Sequence, residues 1–116
     1  MNRTIQQTYH LPGTLTANLD IRFTAHTNMS LLHVSAVASN DSDATLKIGT
    51  STDDDEFLAE TTIGDSGTPS EFDWGDFVDQ HPRIEDGDIV VLTVDYDGAT
   101  GTAAADLTLV LTFLEG

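Results

Sequence analysis

Alternation with a period of two residues runs through most of this chain, and helical periodicity is almost absent. In "ANLDIRFTA", Leu19, Ile21, Phe23 and Ala25 share one face while Asp20, Arg22 and Thr24 take the other. In "MSLLHVSAVAS", Leu32, Val34, Ala36 and Ala38 line one face, opposite His33 and Ser35; Ala44, Leu46 and Ile48 repeat the pattern around Lys47. "DIVVLTVDY" and "DLTLVLTFLE" are apolar on both faces, as central strands are. Side chains that alternate at this period can bury one face only in a sheet.

Turn signals separate these runs at strand-length spacing: Pro12–Gly13, "SNDSD" at 39–43, "GDSGTP" at 64–69, "EDGD" at 85–88 and "DGATG" at 97–101. The pattern predicts about eight strands, over residues 3–9, 15–25, 29–39, 44–50, 56–63, 70–78, 88–96 and 105–114. That number of short antiparallel strands fits an all-β, two-sheet sandwich, most naturally a jelly roll. An immunoglobulin-like sandwich is the alternative, but its Cys…Trp…Cys signature is missing. With 116 residues there is room for one core. The expected organisation is an N-terminal arm or first strand over 1–14 and a sandwich domain over 15–116.

Charge is the outlying quantity: 20 acids against 4 Lys and Arg, a formal net charge of −16. Such a chain is repelled by nucleic acid and by anionic membranes, so neither is an expected partner. The acids are spread over several turns rather than gathered in a tail. No apolar run approaches the length of a membrane span, and "MNRTIQQTYH" lacks the apolar stretch of a signal peptide. Cysteine is absent, which removes disulfide and thiolate chemistry. A soluble protein used where it is made is the expectation.

Several constellations carry groups capable of chemistry. "STDDDEFLAE" places four acids before Phe57, but a calcium loop of the EF-hand type needs an oxygen ligand at its fifth position and glycine at its sixth. Counted from Asp53, those positions hold Phe57 and Leu58. "DYDGATGTAAAD" fits as poorly, with Ala99 and Thr100 there. An irregular site built from Asp53 and Asp55 with Asp41 or Asp43 stays open, although the simpler reading is a solvated loop tip. A pair of catalytic carboxylates needs one desolvated member, and these acids sit mostly in turns. His10, His26, His33 and His81 lack metal spacing, and no nucleophile elbow, dinucleotide fingerprint or phosphate loop occurs. The expectation is a protein without catalytic residues, metal or cofactor.

Two segments remain as binding candidates. In "EFDWGDF", Phe72, Trp74 and Phe77 could stack on a sugar, anchor a partner, or point into the core from one strand. The opening arm, with Arg3, Ile5, Gln7 and Tyr9, is polar but almost uncharged. Such an arm can pair along a neighbouring subunit or an exposed sheet edge; its plainer reading is an ordinary first strand.

"SLLHVSAVASNDSDATLKIGT" (30–50) and "RIEDGDIVVLTVDYDG…DLTLVLTFLEG" (83–116) together resemble small head decoration, or cement, proteins of tailed bacteriophages. The resemblance covers the chain from about Leu15 and rests on strand pattern, the "GTSTDDDEF" connection and the Gly-Asp start of an apolar strand. It implies a non-enzymatic homotrimer that is assembled in bacterial cytoplasm, binds the major capsid protein on the outer surface of the virion head and stabilises the capsid. It implies no catalytic residues. A carbohydrate-binding or fibre-tip receptor-binding module using Trp74, and a calcium-dependent adhesion domain, are the alternatives.

Overall fold

The computed structural model describes residues 3–116. It contains nine strands and, among the described residues, no helix: β1 (Thr4–Thr14), β2 (Leu19–Thr24), β3 (Met29–Val37), β4 (Thr45–Thr50), β5 (Leu58–Thr62), β6 (Ser70–Phe72), β7 (Arg83–Ile84), β8 (Ile89–Asp95) and β9 (Ala105–Glu115). One sheet runs β1-β9-β3-β6, with β7 also on β3; the other runs β2-β8-β4-β5. All pairings are antiparallel. Successive strands cross between sheets except at the β4–β5 hairpin and at β6–β7, which gives jelly-roll order. The two-sheet sandwich expected from the alternation is therefore present. The run expected over 70–78 is strand only at Ser70–Phe72, and the additional strand, β7, lies in a stretch where none was expected; β6 and β7 pair with different parts of β3.

The inner faces close on one core. Leu31, Val34 and Ala36 of β3 meet Leu107, Leu109, Leu111 and Phe113 of β9, all fully buried. Leu46 and Ile48 of β4 and Val90, Leu92 and Val94 of β8 face them from the second sheet, also fully buried. Phe23 packs its edge on Phe113, with ring centroids 5.9 Å apart at 71°. Each fully buried Leu, Ile or Phe contributes about 1.5–3 kcal/mol of apolar transfer. The central placement of β8 and β9 matches their two-sided apolarity.

Two local departures have physical causes. The register of β3 shifts between Leu31 and His33. That bulge puts Leu31, rather than Leu32, into the core, while Val34, Ala36 and Ala38 keep the expected face. The first strand continues past residue 9 to Thr14, with Pro12 and Gly13 inside it rather than at a turn. β1 is an edge strand, where a proline costs no ladder bond. Gly13 takes φ of 81° at a register shift between Leu11 and Thr14 and donates its N–H to Asp106 Oδ1 at 2.7 Å.

Candidate functional site

The acids are not spread evenly over the folded surface. Residues 4–19, 21–40 and 107–114 contain no Asp or Glu. Pairing of β1 with β9, and of β9 with β3, lays these stretches side by side. The outer face of the first sheet is consequently built from uncharged cross-strand rows: His10–Thr108–Val37, Thr8–Val110–Ser35, Gln6–Thr112–His33 and Thr4–Leu114–Ser30. His10 Nδ1 lies 2.8 Å from Thr108 Oγ1, and Gln6 Nε2 donates to Thr112 Oγ1 at 3.4 Å, so the polar groups are partly satisfied within the face. Charge appears only at its rim. Arg3 Nη2 lies 2.8 Å from Glu115 Oε2, and Glu71 lies 3.5 Å from His33. Asp106 anchors the far end, accepting from Gly13 N–H and Ser39 Oγ. Those two donors hold its carboxyl below the usual carboxylate range, as the Arg3 guanidinium does for Glu115.

The outer face of the second sheet differs. Asp20 and Arg22 pair on β2 at 2.9 Å, Lys47 of β4 meets Asp54 at 3.1 Å, and Glu60 and Asp95 lie on the same sheet. The loop 51–55 folds back over this face. Thr50 N–H donates to Asp53 C=O at 2.8 Å, and that carbonyl approaches Gly49 so closely that a Cβ there would clash. The loop walls an open polar cleft of about 470 Å³ lined by Asp20, Arg22, Asp53, Asp54, Val91 and Thr93. The carboxylates of Asp53, Asp54 and Asp55 come within 4.8 Å of one another, all exposed. Hydrogen bonding to Asp53, with the charge beside it, raises the pKa of Asp55, the signature of acids crowding one another. Asp41 and Asp43 do not join them. Asp41 bridges to Asp65, and Asp43 Oδ2 accepts from Thr102 N–H, at the opposite end of β4. Phe57, two residues beyond Asp55, is buried immediately before β5.

The candidate residues of "EFDWGDF" separate. Phe72 and Phe77 are 9% and 6% exposed and belong to the core, so neither presents a surface to a partner. Trp74 is 58% exposed. The strand ends at Phe72 because Asp73 and Asp76 cap a tight turn: Asp73 N–H donates to Asp76 Oδ2, Gly75 N–H to Asp73 Oδ1, and Asp76 N–H to Asp73 C=O. That turn sends Phe77 inward and leaves Trp74 and Val78 outside. Trp74 lines neither the polar cleft nor a smaller apolar one between β1 and β2, lined by Ile5, Phe23 and Met29 among others.

The candidates on the opening segment also sort by parity. Met1 and Asn2 lie outside the described residues. Ile5, Gln7 and Tyr9 are half-buried and lean toward the second sheet; burial raises the Tyr9 phenol. Arg3 is exposed. The residues that face outward are Thr4, Gln6, Thr8 and His10, and sequence reasoning missed them together with Thr108, Val110 and Thr112 of β9. The signal that could have found them is the gap in acids across strands that come to lie adjacent.

The fold and its surfaces define an acidic jelly roll with one uncharged sheet face. No family model matches the chain, and no curated protein matches it. Among solved structures, a chain of the "Cyanophage Pam1 capsid asymmetric unit" is similar, with a TM-score of 0.61 at 14% identity. The alignment covers 99% of this chain and 85% of that one, so the two share a fold over essentially the whole length of the protein.

Proposed function

We propose that this protein is a structural component of a bacteriophage capsid, and more specifically a decoration or cement protein that binds the major capsid protein on the outer head surface. The observation that carries the reading is the uncharged outer face of β1, β9 and β3 on a body of net charge −16. A contact surface that must lose its water is best free of charges, because each unpaired buried charge costs several kcal/mol. The acidic second sheet and loops would then face solvent and keep particles carrying many copies apart by mutual repulsion. The full-length likeness to a chain of a cyanophage capsid supports the same reading. Stabilisation follows by mass action, since a ligand of the assembled lattice lowers the free energy of that state alone. The role is structural rather than catalytic. The resemblance to cement proteins implies that copies act as a homotrimer, and several weak contacts joined in one oligomer bind far more tightly than one.

Purified protein is expected to co-sediment with heads of its phage that lack it and to raise their disruption temperature. Val110→Glu, which puts a charge at the centre of the neutral face, should weaken that binding by about a hundredfold or more, whereas Trp74→Ala should leave it unchanged. Heads that ignore the wild-type protein would sink the proposal. A glycan-array signal abolished by Trp74→Ala would favour the sugar-binding alternative, which the position of Trp74 outside both clefts does not support.

A further inference from the structure

A jelly roll leaves the outer strands of both sheets unpaired, and here those edges are unequally guarded. β2 is 6 residues long and carries the Asp20–Arg22 pair; β5 is 5 residues with Glu60; β6 is 3 residues with Glu71. Short length and charge are the usual defences of an edge against pairing with another chain. β1 has neither. It is 11 residues long and contains no Asp, Glu, Lys or Arg, and its only irregularity, at Pro12–Gly13, is confined to one end. Glu115 N–H donates to Arg3 C=O on the β9 side. Antiparallel alternation from that point turns the main-chain groups of Thr4, Gln6, Thr8 and His10 toward the open edge.

The side chains beneath this edge are unfinished as well. Ile5, Tyr9 and Leu11 of β1 and Leu19, Ile21 and Phe23 of β2 pack against the core yet stay half-exposed. An apolar cleft of about 100 Å³ opens between the two edges, lined by Ile5, Gln7, Phe23, Ala25 and Met29 among others.

We propose that β1 pairs antiparallel with β1 of a second copy of this chain across a two-fold axis at Gln7, joining the two first sheets into one continuous sheet. A basic partner would be drawn to the acid-rich surfaces of this molecule. The one long edge free of acids suits a partner that is itself strongly acidic, and another copy is such a partner. Centring the axis on Gln7 satisfies the outward main-chain groups of those four residues, pairing Thr4 with His10 and Gln6 with Thr8. It also sets Ile5 against Tyr9 of the other copy, over the apolar cleft. The contact is two-fold, not the three-fold association that the cement-protein resemblance implies, and it requires no capsid.

Because it requires none, it is tested on the purified protein alone and stands or falls separately from the capsid reading. Sedimentation velocity should show a dimer, and association should tighten as NaCl rises, because salt screens repulsion between two bodies of charge −16. Thr8→Pro removes an outward N–H without touching the β9 ladder and should weaken the dimer by about tenfold or more. An unchanged melting temperature of its monomer would show that the fold is retained. The chain has no cysteine, so Gln7→Cys supplies a second, independent readout. Facing residues of a non-hydrogen-bonded antiparallel pair lie about 4.5 Å apart at Cα, within disulfide reach. Mild oxidation should therefore cross-link Gln7→Cys far faster than Ser51→Cys in the exposed loop. A monomer at concentrations on the order of 0.1 mM, a trimer, or equal cross-linking of both variants would overturn the proposal.

Discussion

The two open sides of the sandwich are finished in different ways. On one side the segment 73–82 closes the gap between the sheets. Val78 N–H donates to Phe57 C=O, Leu31 N–H donates to Pro82 C=O, and Phe57, Phe72 and Phe77 are buried to 4%, 9% and 6% exposure. On the other side nothing from the described chain covers β1 and β2, and their inward residues, including Ile5, Tyr9 and Phe23, remain half-exposed. The same alternation thus yields a finished core where the chain supplies its own lid and an unfinished one where it does not. An unfinished core beside an unguarded strand is what an association surface needs: apolar area to remove from water and main-chain groups to pair.

Truncating a side chain on each side should have very different effects. Phe77→Ala should lower unfolding free energy by about 3–5 kcal/mol, read from the urea midpoint, because a buried ring leaves a cavity. Ile5→Ala in dilute protein should cost about 1 kcal/mol, since part of that side chain is already wet. Equal losses would mean that the β1–β2 side is as finished as the other.

Asp106→Asn probes how the end of the open edge is held. The native carboxylate has its pKa lowered by Gly13 N–H and Ser39 Oγ. A depressed carboxyl contributes stability that is fully present above its unfolded value, near 3.9, and is lost as pH falls through the folded value. Wild type should therefore lose stability on acidification below about pH 4 more steeply than the variant, and hydrogen exchange near Gly13 should quicken in the variant at neutral pH. Asparagine is the appropriate substitute because residue 106 sits at φ of 50°, which Asn tolerates.

The smallest effect belongs to the acidic loop 51–55, which folds over the outer face of the second sheet. Asp55 has its pKa raised by Asp53, so the folded state holds its proton more tightly than the unfolded chain does. Its repulsion is present at neutral pH and is relieved as pH falls through the folded value. Asp55→Asn should raise the melting temperature slightly, and the gain should shrink in high salt. A loss of stability would show that these acids support the loop rather than strain it.

Much of the architecture was legible in the chain. Period-two runs such as Leu19–Ile21–Phe23 and Ala44–Leu46–Ile48 located strands and their inward faces, because side-chain direction in a strand follows from covalent geometry. The two-sided apolarity of β8 and β9 marked them as central. Where the reading slipped, a local feature of main-chain pairing had intervened. A bulge exchanged Leu31 for Leu32, and the Asp73–Asp76 cap ended a strand one step before Trp74, separating it from Phe72. Phe72 and Phe77 looked like contact residues because aromatic clusters serve cores and interfaces equally well.

The candidate site was less legible, for a topological reason. That the chain is all-β, strongly acidic and free of acids in a few stretches follows from local pattern and composition alone. That the acid-free stretches form one face depends on Thr4–Thr14 pairing with Ala105–Glu115, segments nearly a chain length apart, and on β9 lying between β1 and β3. Which edge stays open, and which side of the core stays unfinished, likewise depends on long-range strand pairing. Burial and edge exposure are set by what else the chain brings to each strand, and a strand's own residues do not encode its neighbours.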